Sequence, residues 1–586
     1  MTESEPQGVI FTNEARCRDC YRCVRVCPVK AIRVDHGQAS VDPSRCVGCG
    51  TCVRECPQEA KRYRKDVPKA QALLKSRKFT AVSLAPAFAG AFEPWTLLRL
   101  PAALRRLGFR YVAETAVGAQ FVAQATADKV GQGGGPHICT ACPAAVNYVE
   151  KYRCELVPRL LPFVSPMMAH ARHVKARFGA DAGFVFIGPC VAKKLEAERP
   201  ELKGLVDCVL TFEELSEWLA QEGIDLEHCE ESAFDELPGG MARIFPLEGG
   251  SLVTAGLNGG PQDEHTAPLS GFESLREGLG MGSDGGVKVI EPLFCSQGCI
   301  NGPALRGEDG VFERRRRVIR YTLQRKTGPE AVLQTSLETK YEVHPQGPSH
   351  PFSEEEIRKV LDQTGKGRPE NQLNCGACGY ASCRDQVLAV LSGMAEREMC
   401  IPYMRRMAEQ RSSIIMETSP NGIVILDRDL TIRNANRAFE KLVHESSLSG
   451  QSVSKYVDPD PFERVASGQV ELYDAECHDA SRALNARLIA YALPGEDRLV
   501  GIFVALPEPG EDAERLHRLR NETISQAKEL QDQQIEMARE FANYLGQHTA
   551  RGEQLVKKLI QAVESEKDSN PGSSESASGG AHRSAP

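Results

Sequence analysis

The chain has 586 residues, too long for one hydrophobic core, and at about 150 residues per domain it predicts about four domains. Its composition, 41% hydrophobic and 26% charged, is that of folded globular protein and excludes a fibrous or wholly disordered chain. The net charge of −8 excludes a bulk nucleic-acid footprint, and no apolar run approaches the roughly 18–20 residues that span a bilayer. What stands out is 21 cysteines, most of them in short clusters, a pattern that in an intracellular chain points to metal rather than disulfides. The opening MTESEPQ lacks the basic-plus-apolar pattern of an export signal, so the expectation is a cytoplasmic protein in a reducing setting.

Arg16–Pro28 reads RCRDCYRCVRVCP and Arg45–Pro57 reads RCVGCGTCVRECP, an internal repeat of CxxCxxCxxxCP. This is the bacterial two-cluster ferredoxin pattern, in which the fourth cysteine of each run serves the other cluster. It assigns one 4Fe-4S cubane to Cys17, Cys20, Cys23 and Cys56, and a second to Cys46, Cys49, Cys52 and Cys27. Zinc competes for any cysteine quartet, but eight cysteines in this phase argue against it. Residues 1–70 are read as this domain, an electron wire to the next one along the chain.

Asp66–Lys78 is basic and helical in pattern, and bridges to a region where apolar runs (Phe79–Leu84, Gly183–Ile187, Leu205–Leu210) alternate with helical stretches. That alternation argues for an α/β fold. Three segments carry chemistry: HICTACPAAVNYVEKY with Cys139 and Cys142, GFVFIGPCVAKKLE with Cys190, and EPLFCSQGCING with Cys295 and Cys299. If the last segment is helical, its two thiolates leave one face, as residues four apart do. An isolated cysteine pair is more often a pair of small hydrophobes, and Cys139, Cys154, Cys208 and Cys229 are read that way.

Together with SLAPAF (Ser83–Phe88), LRRLGFRYVAET (Leu104–Thr115) and SPMM (Ser165–Met168), the three segments resemble the iron-only (FeFe) hydrogenase large-subunit domain over residues 75–341. The resemblance implies that Cys142, Cys190, Cys295 and Cys299 hold a 4Fe-4S cubane. It also implies that Cys299 bridges to a diiron subcluster and that Lys193 lies against a cyanide on it. Departures are equally specific. Ala141 stands where catalytic members have the first of two adjacent cysteines, their proton donor, and a methyl group cannot carry a proton. Gly188 and Leu293 replace methionines, the third loop is shortened to Asn301-Gly302-Pro303, and Gln120–Thr126 lacks the glutamates of the family's proton route. The expectation is a hydrogenase-like oxidoreductase of low turnover.

After a polar linker (Pro345–Pro351), residues 352–405 contain NCGACGYASCRDQVLAVLSGMAEREMC. Cys375, Cys378 and Cys383 sit close together, and an amphipathic helix (Val387, Val390, Leu391, Met394) would return Cys400 to them. The pattern resembles the small iron–sulfur domain of corrinoid proteins and electron-transport subunits, which binds one 4Fe-4S cluster; zinc is the competing metal. Residues 408–507 resemble a PAS sensor domain through ETSPNGIVILDRDLTIRNANRAFEKL. There we expect strands Gly422–Leu426 and Thr431–Asn434, helix Ala435–Val443, and closing strands Ala486–Ala492 and Leu499–Leu506. His444, Cys477 and His478 could bind haem, but a lone His near a helix end is usually solvated or core. Residues 511–566 carry a partial heptad (Leu516, Leu530, Met537, Tyr544), read evenly as a surface helix or a dimeric signalling helix, and residues 567–586 read as a disordered tail.

The chain is thus expected to be a multidomain α/β and α+β protein. Its expected function is an iron–sulfur redox or hydrogen sensor relaying cluster state through the PAS domain to another protein. The alternatives are an active hydrogenase exchanging electrons with ferredoxin and a purely electron-transferring protein. Its expected cofactors are two ferredoxin-type cubanes, one cubane in the small domain, one in the hydrogenase-like domain, and a diiron subcluster. Expected partners are a redox protein such as ferredoxin, a kinase or phosphatase in trans, and a second copy of the chain, with neither nucleic acid nor membrane.

Overall fold

Strand β1 (Ile10–Thr12), the hairpin β2 (Ile32–Asp35) and β3 (Gln38–Val41), and β4 (Lys61–Tyr63) frame the N-terminal segment, β1 pairing antiparallel with β4. Each cysteine run lies between two of these strands and ends in a short helix, Arg22–Val26 or Thr51–Arg54. The residue before each helix, Tyr21 or Gly50, is left-handed, which turns the preceding cysteines back over the helix start. The structure, a computed structural model, describes residues 8–506, apart from 258–259, 261–262, 281–285, 306, 308, 330–332, 346–351, 480–483 and 494–495. The segments 511–566 and 567–586, expected as a coiled helix and a tail, lie outside the described residues. The chain divides into two units, residues 1–408 and 409–586.

In the first unit, helix Val67–Ser76 leads into a four-stranded parallel sheet of β5 (Thr80–Leu84), β6 (Tyr111–Glu114), β8 (Gly183–Gly188) and β9 (Cys208–Thr211), in the order β6-β5-β8-β9. All four strands are buried along their length, as parallel strands covered on both faces must be, which is why they read as largely apolar runs. A second parallel sheet, β10-β11-β7, joins β7 (His137–Ile138), β10 (Thr266–Ser270) and β11 (Val289–Leu293). The loops at the carboxyl ends of β5, β8, β7 and β11 carry Ala85, Cys190, Cys142 and Cys295 respectively, and these loops converge. In open α/β sheets that end is where ligands bind.

The N-terminal segment is bolted to this core by a buried ion cluster. The Lys194 ammonium, fully buried, donates to Asp66 Oδ2 (2.9 Å), to Val209 O (2.7 Å) and to Glu214. The small domain that comes next in the chain is built on two helices with capping boxes, Glu354–Gln363 (Ser353 with Glu356) and Cys383–Leu391 (Ser382 with Asp385). It sits on the N-terminal segment: Val34 N donates to Met394 O (3.0 Å) and Gly37 N to Glu396 Oε2 (3.1 Å).

The second unit is a five-stranded antiparallel sheet, order β13-β12-β16-β15-β14, made of β12 (Gly422–Asp427), β13 (Ile432–Ala435), β14 (Leu472–Asp479), β15 (Leu484–Ala492) and β16 (Arg498–Ala505). Helices Arg437–Leu442 and Asp460–Ala466 pack on it over a core that includes Val424, Phe439, Phe462 and Phe503. The first helix starts two residues later than its apolar pattern suggests because Asn436 caps it. Its Oδ1 accepts from Phe439 N and Ile423 N, and its Nδ2 donates to Met416 O and Asn421 O. Strand β14 carries Cys477 and His478, neither buried, and His478 faces Glu476. Among the described residues no helix is long and apolar enough to cross a membrane.

Candidate functional site

The eight N-terminal cysteines fall into two groups, in the phase that the repeat implies. Burial pushes the Cys23 thiol up; Lys61 opposes the rise, and Cys17, Cys20 and Cys56 add to it. Cys52 is raised well above a free thiol by burial and then by Cys49, Cys46 and Cys27. Backbone amides aim at sulfur in matching places: Ala31 N at Cys27 Sγ (3.2 Å) and Ala60 N at Cys56 Sγ (3.3 Å), with Gly48 N at Cys46 Sγ (3.3 Å). An amide pointed at sulfur favours the thiolate, the form that ligates metal.

A third group forms where the two parallel sheets meet. Cys295 is raised by burial and by Cys190, Cys299 and Cys142, so these four residues converge from three separate loops. Cys190 is pushed up to about 12 by burial and Cys142, with Lys193 opposing. The Cys295–Cys299 segment corrects the helical expectation. It is a tight turn after β11, with Gln297 and Gly298 both left-handed (φ 66 and 87) and Gly298 N donating to Cys295 O (3.0 Å). A Cβ at Gly298 would lie 2.3 Å from Pro246 O, so only glycine fits, and the turn rather than a helical face brings the two thiols together. Cys49 acts on Cys295, and Cys142 on Cys49, which places the second N-terminal group beside this one.

Next to the third group is an apolar cavity of about 80 Å³, lined among others by Ala85, Ala141, Phe186, Lys193, Leu293 and Cys299. It holds several times the volume one water needs. Lys193 reaches its wall from helix Ala192–Ala197, its ammonium 2.7 Å from Glu196 Oε2 and 3.3 Å from Ala141 O. Glu196 was not singled out from sequence, although its i,i+3 spacing from Lys193 was a usable signal. Gly188 ends β8 behind two of the lining residues: a Cβ there would meet the Phe186 ring at 2.7 Å and Ala85 Cβ at 2.9 Å, so the ring takes the room of a larger side chain. Among the described residues Gln120, on helix Ala116–Gly131, donates to no carboxylate; its Oε1 accepts from Gly239 N.

In the small domain, Cys378 is raised by burial and by Cys400 and Cys375, while Tyr380 N opposes. Cys383 opens its helix, buried, with its amide held by Asn374 Oδ1 (2.8 Å) beside Cys375. The remaining cysteines are packing residues: Cys154, Cys208 and Cys229 donate to the carbonyls of Glu150, Asp66 and Asp225, and Cys139 is buried.

The donor sets fit iron–sulfur clusters. They are thiol-only and crowded, and burial raises many of the thiols, so closeness without a metal is electrostatically unfavourable once any of them ionises. When bound, such clusters supply one-electron storage and transfer.

Comparison with known proteins agrees. Residues 78–303 match the family described as iron only hydrogenase large subunit, C-terminal domain, residues 9–57 a 4Fe-4S dicluster domain, 371–402 an Fe-S cluster family, and 410–476 a PAS domain. The cytosolic Fe-S cluster assembly factor NAR1 of Vanderwaltozyma polyspora is 39% identical over 98 residues, covering 17% of this chain and 19% of that protein. The chain thus spans about a fifth of the length of that relative. A solved structure of FeFe-hydrogenase HydA1 from Chlamydomonas reinhardtii aligns with 44% of this chain and 88% of its own at 18% identity and a TM-score of 0.36. The periplasmic Fe hydrogenase large subunit of Nitratidesulfovibrio vulgaris is 32% identical over 291 residues, 43% of this chain and 68% of that subunit. With identity at that level sustained over two thirds of the enzyme subunit, the chain is a hydrogenase-like iron–sulfur protein with a PAS domain and belongs to the iron-only hydrogenase family.

Proposed function

We propose that this protein is a redox or hydrogen sensor, which reads the state of its hydrogenase-like centre and passes it through the PAS domain to a partner. The observation that carries this reading is the methyl group of Ala141 on the cavity wall, where the family's resemblance calls for a proton-donating thiol. A centre that accepts a ligand or an electron but moves protons slowly holds its state long enough to be read. In support, helix Ile401–Thr418 starts on the residue after Cys400, so a metal ligand of the small domain is joined by continuous helix to the PAS sequence.

In this reading Cys17, Cys20, Cys23 and Cys56 hold one 4Fe-4S cluster and Cys27, Cys46, Cys49 and Cys52 a second. Cys375, Cys378, Cys383 and Cys400 hold a third, and Cys142, Cys190, Cys295 and Cys299 a fourth. A diiron subcluster would occupy the apolar cavity, with Cys299 as its tether and Lys193 as the cation on its wall. The protein works in the cytoplasm as a homodimer, exchanges electrons with a ferredoxin-type protein, and signals to a kinase or phosphatase in trans.

Film electrochemistry of the matured protein, paired with hydrogen–deuterium exchange of residues 422–506 under hydrogen and under argon, tests this. Small catalytic currents with a hydrogen-dependent change in exchange are expected. Large currents in both directions and no change in exchange would sink it. That outcome would favour a working hydrogenase, which Lys193 on the cavity wall already suits. Absence of carbonyl and cyanide infrared bands after maturation would instead favour electron transfer or, by likeness to NAR1, a role in Fe-S cluster assembly.

A further inference from the structure

The three cysteine-rich parts of the first unit share one basic cleft. A cavity of about 530 Å³ is lined by Cys27 and Cys49 from the N-terminal segment, Cys295 from the hydrogenase-like core, and Tyr380 from the loop after Cys378. Lys30 is also on its wall. Cys27, Cys378 and Tyr380 belong to a single buried core, so the small domain meets the N-terminal segment at the metal ligands themselves. The approach is close: a Cβ on Gly379 would lie 3.0 Å from Val24 Cγ1 and 3.1 Å from Arg25 N, and Arg25 donates to Ala377 O (3.5 Å).

Lys30 is held in an unusual way at this junction. Its backbone is left-handed (φ 50), a conformation disfavoured for a side chain of this kind. Its ammonium donates to Val24 O (3.0 Å) and Arg25 O (3.3 Å), at the carboxyl end of helix Arg22–Val26, and lies 6.0 Å from the centre of the Tyr380 ring. Among the described residues, carbonyls rather than a carboxylate hold this charge. Burial lowers its proton affinity, and Cys27 and then Cys378 raise it, so the charge lies within electrostatic reach of one ligand from each quartet. Tyr380 is likewise acted on by Cys378 and Cys27, after burial.

We propose that Lys30 is an electrostatic link shared by the Cys27 and Cys378 cluster sites, at a junction where the small domain and the N-terminal segment exchange electrons directly. In each exchange one electron leaves the small-domain cluster, which is oxidised, and arrives at the Cys27 cluster, which is reduced; no bond or proton moves. A tetrathiolate cluster gains one negative charge on reduction, so a fixed cation between two of them favours the reduced form of both. Lys30 would thus raise both potentials. The link rests on the proposed cluster assignment and is independent of the sensory role.

The test uses the full chain, reconstituted anaerobically, with iron and sulfide counted first. A missing small-domain cluster would refute the assignment, and with it the link. In EPR redox titrations, Lys30→Met should shift the midpoints of both clusters negative by at least a tenfold change in the one-electron equilibrium, about 59 mV, and Lys30→Arg should leave them near wild type. A shift of one cluster alone, or of neither, overturns the shared link. Should Lys30→Met lose iron, the wild type decides: its fully reduced spectrum should show magnetic broadening of the Cys27-site signal that disappears in Cys378→Ser. Identical line shapes in the two proteins would overturn the junction.

Discussion

Ala141 and Lys193 show how single side chains set the chemistry of this site. The lysine charge is paired with Glu196 and turned toward Ala141 O, and at position 141 itself the cavity wall presents a methyl group that carries no proton. Ala141→Cys should raise hydrogen turnover by about 10²-fold, the lower end of what a placed acid contributes, as followed by methyl viologen reduction under hydrogen. No gain would mean that the missing carboxylates around Gln120 limit the rate instead. His170 gives a pH prediction. Fully buried, with Nδ1 2.8 Å from Ser83 Oγ, it is pushed down to about 3 by burial, with His173 adding and Glu236 opposing. The unfolded chain takes up this proton near pH 6.5, so the stability it contributes is complete above 6.5 and is lost as pH falls toward 3. By pH 5 the loss is about 2 kcal/mol, and urea unfolding at pH 7 and pH 5 should show a smaller difference in His170→Gln than in wild type.

Among the elements, the turn after β11 carries the most. Gly298→Ala must adopt φ 87 and push Pro246 O out of a 2.3 Å contact, so it should cost about 2 kcal/mol or more. Iron content should fall by one cluster while the EPR signals of the N-terminal clusters persist. Legibility in the sequence obeys the same physics. Three of the four strands of the first parallel sheet (β5, β8 and β9) and the N-terminal quartets were legible because their signals are local: largely apolar runs and cysteines at ligand spacing. The turn was not, since a four-residue spacing fits a helix face or a bend equally, and Pro246, which forces the bend, lies far away in sequence. Strand β14 was hidden by its polar, half-exposed side chains. Nothing in the sequence marks Lys30, because its left-handed backbone is a feature of the fold and Tyr380, whose ring its ammonium approaches, lies 350 residues away.

At the scale of the whole first unit, the order of modules was legible from the motifs, but what joins them was not. The Lys194 cluster ties Asp66, ahead of the first helix of the core, to Glu214 and Val209, and so holds the N-terminal segment against the sheet. Lys194→Met would leave the buried Glu214 carboxylate without its cation, while Asp66 keeps Arg64 (2.8 Å), and should cost about 3–5 kcal/mol in chemical denaturation. Loss of the N-terminal cluster signals at denaturant concentrations where the core is still folded would place that cost at the joint.

The Phe186 ring decides what can stand at position 188. A methionine at 188 would strike the ring and, at 2.9 Å, Ala85 Cβ, so Gly188→Met alone should destabilise by about 1–3 kcal/mol, whereas Gly188→Met with Phe186→Ala should recover the part that is due to the ring. Thermal melting of the two variants checks the difference. The two positions are coupled: the space at 188 is open to a larger side chain only when the ring at 186 is changed with it.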